Sequence, residues 1–144
     1  MKTTVREAIG QDFENVLALL GQLWPSRKLD SVSLAQVFKR MLAQPDFFAY
    51  CSVSDNSING FVLGYFVESL YYNGLLCQMC CLVVDQEARG KGIGTLLMDA
   101  VKHLAHKKGC GAIELESAVR RREAHAFYTK YGFERRAFCF SMNL

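Results

Sequence analysis

A short stretch of the sequence has the residue types and spacing of a phosphate-binding turn. An apolar segment ends at Val84, and Arg89–Gly94 follows with the sequence Arg-Gly-Lys-Gly-Ile-Gly before a helical pattern begins. The first amides of a helix lack internal acceptors and carry partial positive charge. Glycines let the backbone take unusual dihedral angles and approach a ligand closely. The stretch therefore predicts a cradle for phosphate oxygens, with added positive charge from its two basic residues.

The spacing of this stretch excludes two common phosphate-binding motifs. A nucleoside-triphosphate loop needs Gly-x-x-x-x-Gly-Lys-Ser/Thr, which the sequence lacks. A dinucleotide fold needs Gly-x-Gly-x-x-Gly near the first strand, whereas this stretch lies late in the chain and has a different spacing. The remaining alternative is a tight strand-to-helix turn that binds nothing.

Two other pairs of residues have spacings that resemble metal sites. Cys77 and Cys80 lie in a predicted strand, where residues three apart point to opposite faces, and no second cysteine pair follows. His103 and His106 lie one helical turn apart but outside the apolar stripe, which favours a solvated surface. We expect no bound metal.

Length, charge and composition limit the class of protein. The 144 residues carry a net charge of +3 and include six scattered cysteines. This length suits a single domain over residues 1–144, and the mild charge gives no reason to expect nucleic acid. No stretch resembles a signal peptide or is long enough to span a bilayer. We expect reduced thiols, a cytoplasmic location and no membrane partner.

Hydrophobic periodicity predicts alternating strands and helices along the chain. Asp12 is the predicted cap of a first helix that Pro25 ends, and Asp55-Asn56-Ser57 is a predicted hairpin turn. The other predicted helices are Ser33–Leu42, Gly94–Lys108 and Glu123–Tyr131. The predicted strands are Thr3–Ile9, Phe47–Val53, Ile58–Glu68, Leu75–Val84, Ala112–Ser117 and a last strand or hairpin over Phe133–Met142. This order predicts an α/β (α+β) fold, in which a mixed sheet of six or seven strands packs with about four helices.

Two motifs together resemble the GNAT family of N-acetyltransferases. Arg89–Gly94 matches the family motif Arg/Gln-x-x-Gly-x-Gly/Ala. Arg121–Tyr128, followed by Tyr131–Glu134, is similar to the family's Ala-x-x-x-Tyr and Gly-Phe segment. The predicted element order also fits the family fold, so the resemblance covers essentially the whole chain. Within the family, the second motif and the length are similar to aminoalkylphosphonate and some aminoglycoside acetyltransferases.

The resemblance implies that acetyl-CoA is the donor and a primary amine the acceptor. It implies that pantetheine amides pair with β-strand backbone near Val84 and that the pyrophosphate lies on the amides of the glycine stretch. Arg120–Arg122 is either a solvated charge run or a contact for the 3′-phosphate. The implied cofactor-binding residues are Leu82, Val83, Val84, Arg89, Gly90, Lys91, Gly92, Ile93, Gly94, Thr95, Arg121 and Phe127.

The resemblance also implies the catalytic groups. Tyr128 matches the family tyrosine that faces the cofactor sulfur and is the implied general acid; packing on its helix is the alternative. Many relatives carry a carboxylate near the end of the fourth strand, where this chain has Cys80-Cys81. Glu68 is then the first candidate for the general base and Glu116 the second. A water chain would need no residue at all.

The acceptor side of the family fold lies near the first two helices. Trp24, Arg27 and Tyr71 are the candidate substrate-binding residues, and Lys28 accompanies Arg27. A basic pair suits an acidic acceptor, whereas Glu68 suits a cationic one. We expect a small-molecule amine, with a protein N-terminus or lysine as the alternative acceptor and a non-catalytic acyl-CoA-binding module as the alternative class. The apolar residues Ala137–Phe140 suit the shared edge of a homodimer.

Overall fold

Five strands form one sheet in residues 2–144, the part of the chain that the computed structural model describes. The strands are β1 (Thr4–Glu7), β2 (Phe47–Ser54), β3 (Ser57–Ser69), β4 (Gly74–Val84) and β5 (Ala112–Leu115). The helices are α1 (Phe13–Leu23), α2 (Ser31–Ala43), α3 (Ile93–Lys108) and α4 (Arg122–Tyr131). The chain divides into two units, residues 2–114 and Leu115–Leu144.

The sheet combines antiparallel and parallel pairing. β1 to β4 are antiparallel neighbours in chain order, and β5 lies beside β4. The amide of Gly111, just before β5, donates a 2.9 Å hydrogen bond to the carbonyl of Leu75 at the start of β4. Because the two strands start at the same level, β5 runs parallel to β4, and α3 supplies the crossover that such a connection needs.

Helices cover both faces of the sheet, as two adjacent residues of β3 show. The ring of Phe61 lies 6.1 Å from the ring of Phe38 in α2. Gly60 points the other way, toward Ile93 and Leu97 of α3. The main apolar core lies on the α1 and α2 side; its buried residues are Ala8, Val16, Leu19, Leu20, Leu23, Phe38, Ala49, Cys51, Phe61, Leu63 and Val83.

A β-bulge in β4 changes which side chains this strand directs to each face. Met79 pairs with Gly64 and Cys81 pairs with Leu63, so Cys80 is the extra residue of the bulge. Val83 shares its face with Cys81 and belongs to the core beneath α1 and α2. Met79 pairs with Gly64, which lies on the α3 face, since Gly60 and Gly64 are an even number of residues apart. Without the bulge, Met79, Cys81 and Val83 would all share one face.

The mixed α/β fold and the four helices are confirmed, but the expected strand count is too high. The predicted last strand over Phe133–Met142 forms neither helix nor strand in the described residues. The sequence alternates as a strand does, but β5 ends at Leu115 and no neighbour pairs with the later segment. The first strand is also shorter than predicted, at Thr4–Glu7. The predicted hairpin turn contains only Asp55 and Asn56, both with positive φ.

Asp12 precedes α1 as predicted but does not cap it with its side chain. Its carboxylate accepts hydrogen bonds from the Arg6 guanidinium at 2.8 and 2.9 Å and from the Ile9 amide at 2.8 Å. The Arg6 bonds are the main reason that the pKa of Asp12 is lowered, despite the opposing effect of burial. The residue ties β1 to the start of α1 instead of satisfying the helix amides.

The second unit consists of α4 and the residues around it. Gly132 ends α4 with a φ of 123°, and the Phe133 amide donates to the Tyr128 carbonyl at 2.9 Å. The ring of Phe133 lies 5.6 Å from the ring of Tyr128. These contacts fix the direction in which the chain leaves the helix.

Gly64→Ala is expected to destabilise the fold strongly, because a Cβ there would lie 2.5 Å from the Gln78 carbonyl oxygen and 2.5 Å from the Phe48 ring. Backbone next to the bulge cannot move aside easily, so we expect a loss of about 2–3 kcal/mol in the free energy of unfolding. Urea denaturation followed by circular dichroism measures it. Gly21→Ala is the control, since a Cβ at Gly21 in α1 meets no atom within 4 Å. Gly21→Ala should keep or slightly raise the stability, because alanine favours a helix more than glycine does. An equally small effect of Gly64→Ala would contradict the close packing.

Candidate functional site

Two glycines with positive φ connect β4 to α3. Gly90 has a φ of 79° and Gly92 a φ of 82°. A Cβ at either position would meet no atom within 4 Å, so the dihedral angle, and not lack of space, requires glycine there. The sequence therefore needs both glycines to make the turn that leads into the helix.

The N-terminus of α3 is open to an anion. Gly92 is the N-cap, and because it has no side chain, none caps the first amides. The first α-helical hydrogen bond runs from the Leu96 amide to the Gly92 carbonyl at 3.1 Å. The amides of Ile93, Gly94 and Thr95 precede it and have no acceptor within the helix. The first turn contains no acidic residue, so nothing there offsets the positive end of the helix dipole.

A bulge in β3 holds the point where the chain leaves β4. Gly60 pairs with Ser52 and Ile58 pairs with Val53, which leaves Asn59 as the extra residue. Its carbonyl oxygen accepts a 2.8 Å hydrogen bond from the amide of Asp85, the first residue after β4. Its side chain bonds to the hydroxyls of Ser52 and Ser54 at 2.7 and 2.8 Å. The exit of β4 is therefore fixed to the β2–β3 hairpin.

A glutamine of α1 fixes the next residues of the turn. The Gln22 side-chain oxygen accepts from the Gln86 amide at 3.0 Å, and its nitrogen donates to the Asp85 carboxylate at 3.3 Å. The Arg89 Nε donates to the Val84 carbonyl at 3.0 Å. Arg89 thus closes the turn back onto β4, while Lys91 is exposed beside Gly92.

The end of β4, beside this turn, has no strand partner on its outer edge. β5 starts level with Leu75 and has four residues, so it ends about level with the bulge. Leu82–Val84 lies beyond that level, and in the described residues these positions pair only with β3. Their outer edge is available to an extended ligand that hydrogen-bonds like a strand.

The two cysteines at the bulge have different surroundings. Cys80 is exposed. Desolvation raises the pKa of the Cys81 thiol to about 12, and the neighbouring Cys80 adds a smaller effect in the same direction. Cys81 is therefore protonated at neutral pH and cannot act as a general base. Neither thiol supplies the carboxylate that the sequence resemblance implies near this position.

Tyr128 is buried in the second unit within an aromatic cluster. Its ring lies 5.5 Å from the ring of Phe127, which in turn lies 6.2 Å from the ring of Tyr131. His125 Nε2 donates to the Ala118 carbonyl at 2.9 Å and so holds the loop before α4, whose N-cap is Arg121. Both candidate residues Arg121 and Phe127 are half-buried near this cluster.

Glu68 and Glu116, the two carboxylates that the sequence offered as the general base, belong to different units of the chain. Glu68 is exposed near the end of β3 and pairs with Leu75. Leu75 lies nine residues before Val84, or about 30 Å along the strand, so Glu68 and the glycine turn lie at opposite ends of β4. Glu116, in the second unit, accepts a hydrogen bond from the Cys139 thiol at 3.2 Å.

The proposed substrate-binding residues are exposed on the first unit. Trp24 and Arg27 belong to the connection between α1 and α2, and the Arg27 amide donates to the Trp24 carbonyl at 3.1 Å. Tyr71 lies in the β3–β4 turn, with its ring 4.9 Å from that of Tyr72 in an edge-to-face arrangement. The Tyr72 hydroxyl donates to the Glu114 carboxylate at 2.8 Å.

Three residues that position the glycine turn were not identified from the sequence. Asn59, Gln22 and Asp85 act through tertiary hydrogen bonds between segments far apart in the chain. A polar amide inside an apolar strand, as at Asn59, is the one sequence signal that could have indicated an irregular strand here. Within residues 2–144, no group of three or more metal-binding side chains occurs, and no helix is long and apolar enough to cross a membrane.

Comparison with known proteins connects these features to one family. The Acetyltransferase (GNAT) family matches residues 13–133. The chain is 26% identical over 140 residues to an aminoalkylphosphonate N-acetyltransferase of Salmonella typhimurium, covering 97% of this chain and 90% of the relative.

Solved structures share the fold along the entire chain. A transcriptional regulator from Bacillus halodurans aligns with a TM-score of 0.91 and 24% identity, over 99% of this chain and 100% of the other. An aminoglycoside N-acetyltransferase, AAC(6')-Iy, in complex with CoA aligns with a TM-score of 0.84 and 16% identity, over 99% and 95% of the two chains. Because both sequence identities are below 25%, the structural similarity supports the fold and not a shared activity.

Gly92→Ala is expected to weaken CoA binding about tenfold or more, because a side chain at this positive φ strains the turn that presents the α3 amides. Isothermal titration calorimetry with CoA measures the affinity. Gly109→Ala is the matched control: Gly109 has a φ of 77° at the other end of α3, so it carries similar backbone strain away from the turn. Equal affinity in both variants would contradict binding at the N-terminus of α3.

Proposed function

The chain belongs to the Acetyltransferase (GNAT) family, and on this basis we propose that it transfers the acetyl group of acetyl-CoA to the primary amine of a small molecule. The observation that carries the proposal is the Gly90–Gly92 turn, which leaves the first amides of α3 without a side-chain cap and without an acidic neighbour. CoA is an anion whose phosphates need such donors.

The residues around the turn fit the parts of CoA in order along β4. The pyrophosphate would accept hydrogen bonds from the amides of Arg89–Thr95, with Lys91 adding positive charge. The pantetheine arm would pair with Leu82–Val84, whose outer edge no strand of residues 2–144 covers. In this proposal Arg121 and Phe127 complete the cofactor contacts, as the family resemblance implies.

The reaction joins the acceptor nitrogen to the acetyl carbon and breaks the carbon–sulfur bond of the thioester. The amine must lose a proton to become a nucleophile, and the departing thiolate must gain one. We assign proton donation to the hydroxyl of Tyr128. A backbone amide near Val83 or Val84 would stabilise the oxyanion that forms on the acetyl oxygen.

Glu68 is the carboxylate that we assign to proton acceptance. The bulge carries thiols instead of a carboxylate, and Cys81 remains protonated. Glu68 lies toward the start of β4, away from the glycine turn. Because the pantetheine arm would pair with Leu82–Val84, about 23 Å along the strand from Leu75, Glu68 would accept the proton through a chain of water molecules.

The cations between α1 and α2 support an acceptor that carries a negative charge. Arg27 and Lys28 are both exposed next to Trp24. The Salmonella relative is named an aminoalkylphosphonate N-acetyltransferase, so an amine that carries an anionic group is the acceptor these residues suit best. The proposal also includes a single functional domain over residues 1–144 and a cytoplasmic location.

Acetyl-CoA and a panel of amines test the function through release of free CoA thiol. We expect turnover with aminoalkylphosphonates, and a rise in their KM of about tenfold in Arg27→Ala, because one charge-assisted contact is lost. Aminoglycosides, polyamines, amino acids and basic peptides form the rest of the panel. Turnover only with basic peptides would favour a protein acceptor. CoA binding with no turnover on any amine would favour an acyl-CoA-binding module.

Tyr128→Phe and Glu68→Gln are each expected to lower kcat about 100-fold while the affinity for CoA stays unchanged, because each removes one proton-transfer group. Tyr131→Phe is the control for the tyrosine, since Tyr131 lies one turn further along α4 in the same aromatic cluster. If Tyr128→Phe and Tyr131→Phe behave alike, Tyr128 serves only in packing.

A further inference from the structure

The segment between β5 and α4 contains a buried hydroxyl that no other group of the chain satisfies. Within residues 2–144, the side-chain oxygen of Ser117 is the one buried side-chain polar atom that lacks a hydrogen-bond partner. Removing a hydroxyl from water without giving it a new partner lowers the stability of a protein. Native structures rarely keep such an atom unless it serves catalysis or binding. Ser117 is therefore a candidate contact for a molecule that binds the protein.

The residues on either side of Ser117 are exposed, so the burial belongs to this one side chain. Glu116 is exposed and accepts a hydrogen bond from the Cys139 thiol at 3.2 Å. Ala118 is exposed as well. A serine between two exposed residues would satisfy its hydroxyl with water if the side chain pointed outward. The hydroxyl of Ser117 is instead directed into the second unit.

Hydrogen bonds hold the segment that carries Ser117 against the first turns of α4. The Ala118 carbonyl accepts from the Arg121 amide at 3.0 Å and from the His125 Nε2 at 2.9 Å. His125 and Tyr128 lie on the same side of α4, because residues three apart in a helix are neighbours. Ser117, the residue before Ala118, is therefore fixed to the side of α4 that carries Tyr128.

We propose that the Ser117 hydroxyl donates a hydrogen bond to the sulfur atom of CoA. The inference rests on the proposed function, in which Tyr128 donates a proton to the same sulfur atom. When the carbon–sulfur bond breaks, its electron pair stays on the sulfur and Tyr128 supplies the proton. Ser117 keeps its own proton and acts only as a hydrogen-bond donor. A second donor stabilises the negative charge that develops on the sulfur in the transition state.

Removal of this hydroxyl should not lower the stability of the protein without ligand. Ser117→Ala deletes a buried polar atom that binds nothing in the chain, so the urea midpoint should stay the same or rise. Ser52→Ala is the matched control, because Ser52 is fully buried and its hydroxyl donates to the Asn59 side chain at 2.7 Å. This control should lower the midpoint. Urea denaturation followed by circular dichroism measures both variants.

Isothermal titration calorimetry with CoA and with desulfo-CoA, which lacks only the sulfur atom, tests the contact directly. Ser117→Ala should bind CoA about fivefold more weakly than the wild-type protein does, because one hydrogen bond to the sulfur is lost. The affinity for desulfo-CoA should be the same in both proteins. With acetyl-CoA and an accepted amine, kcat should fall about tenfold or more, since the lost bond is stronger when the sulfur carries charge.

Three outcomes would overturn the contact between Ser117 and the sulfur while leaving the proposed function in place. They are an unchanged affinity of Ser117→Ala for CoA, an equal loss of affinity for CoA and desulfo-CoA, and a lower urea midpoint in this variant. The last outcome would mean that the hydroxyl serves the fold. A wild-type protein that does not bind CoA would overturn the proposed function and this inference together.

Discussion

The extra residue at Cys80 is the constraint on which the rest of the sheet depends. It shifts the pairing between β3 and β4, so that residues before and after it face different helices. Cys81 and Val83 can then pack in the core beneath α1 and α2, while Met79 turns toward the α3 face. Gly64, opposite the bulge, must lack a side chain because the Gln78 carbonyl and the Phe48 ring lie against it. β4 also extends past the four-residue β5, and no strand of residues 2–144 pairs with its outer edge there.

The glycine turn depends on this frame for its position. Gly90 and Gly92 supply the dihedral angles, but the place of the turn is set by contacts from three other segments. Asn59 of β3 and Gln22 of α1 bind Asp85 and Gln86, and Arg89 binds back to Val84. Gly60 lets α3 approach the sheet at its first turn, where Ile93 and Leu97 lie. The uncapped amides of α3 are thus held by a network whose charged members are Asp85 and Arg89.

Much of the fold could be predicted because its signals are local. Each of these signals depends on near neighbours in the chain. They are the helical spacing of Val16 and Leu20, the positive φ of Gly92 and Gly132, and the alternation of apolar residues along β2 to β4. The last predicted strand failed for the opposite reason. The segment from Phe133 to Met142 alternates like a strand, but a strand exists only with a neighbour to pair with, and the described chain provides none.

The sequence by itself determined the family, the glycine turn before α3 and the tyrosine on α4, because motif residues are adjacent or one helical turn apart. Tertiary structure decided the bulge at Cys80, the anchoring of Asp85 by Asn59 and Gln22, and the pairing of Asp12 with Arg6 in place of a helix cap. It also decided that Glu68 lies at the far end of β4 from the glycine turn. These features join residues that are distant in the chain. Packing and strand register bring such residues together, and no local sequence pattern encodes either of them.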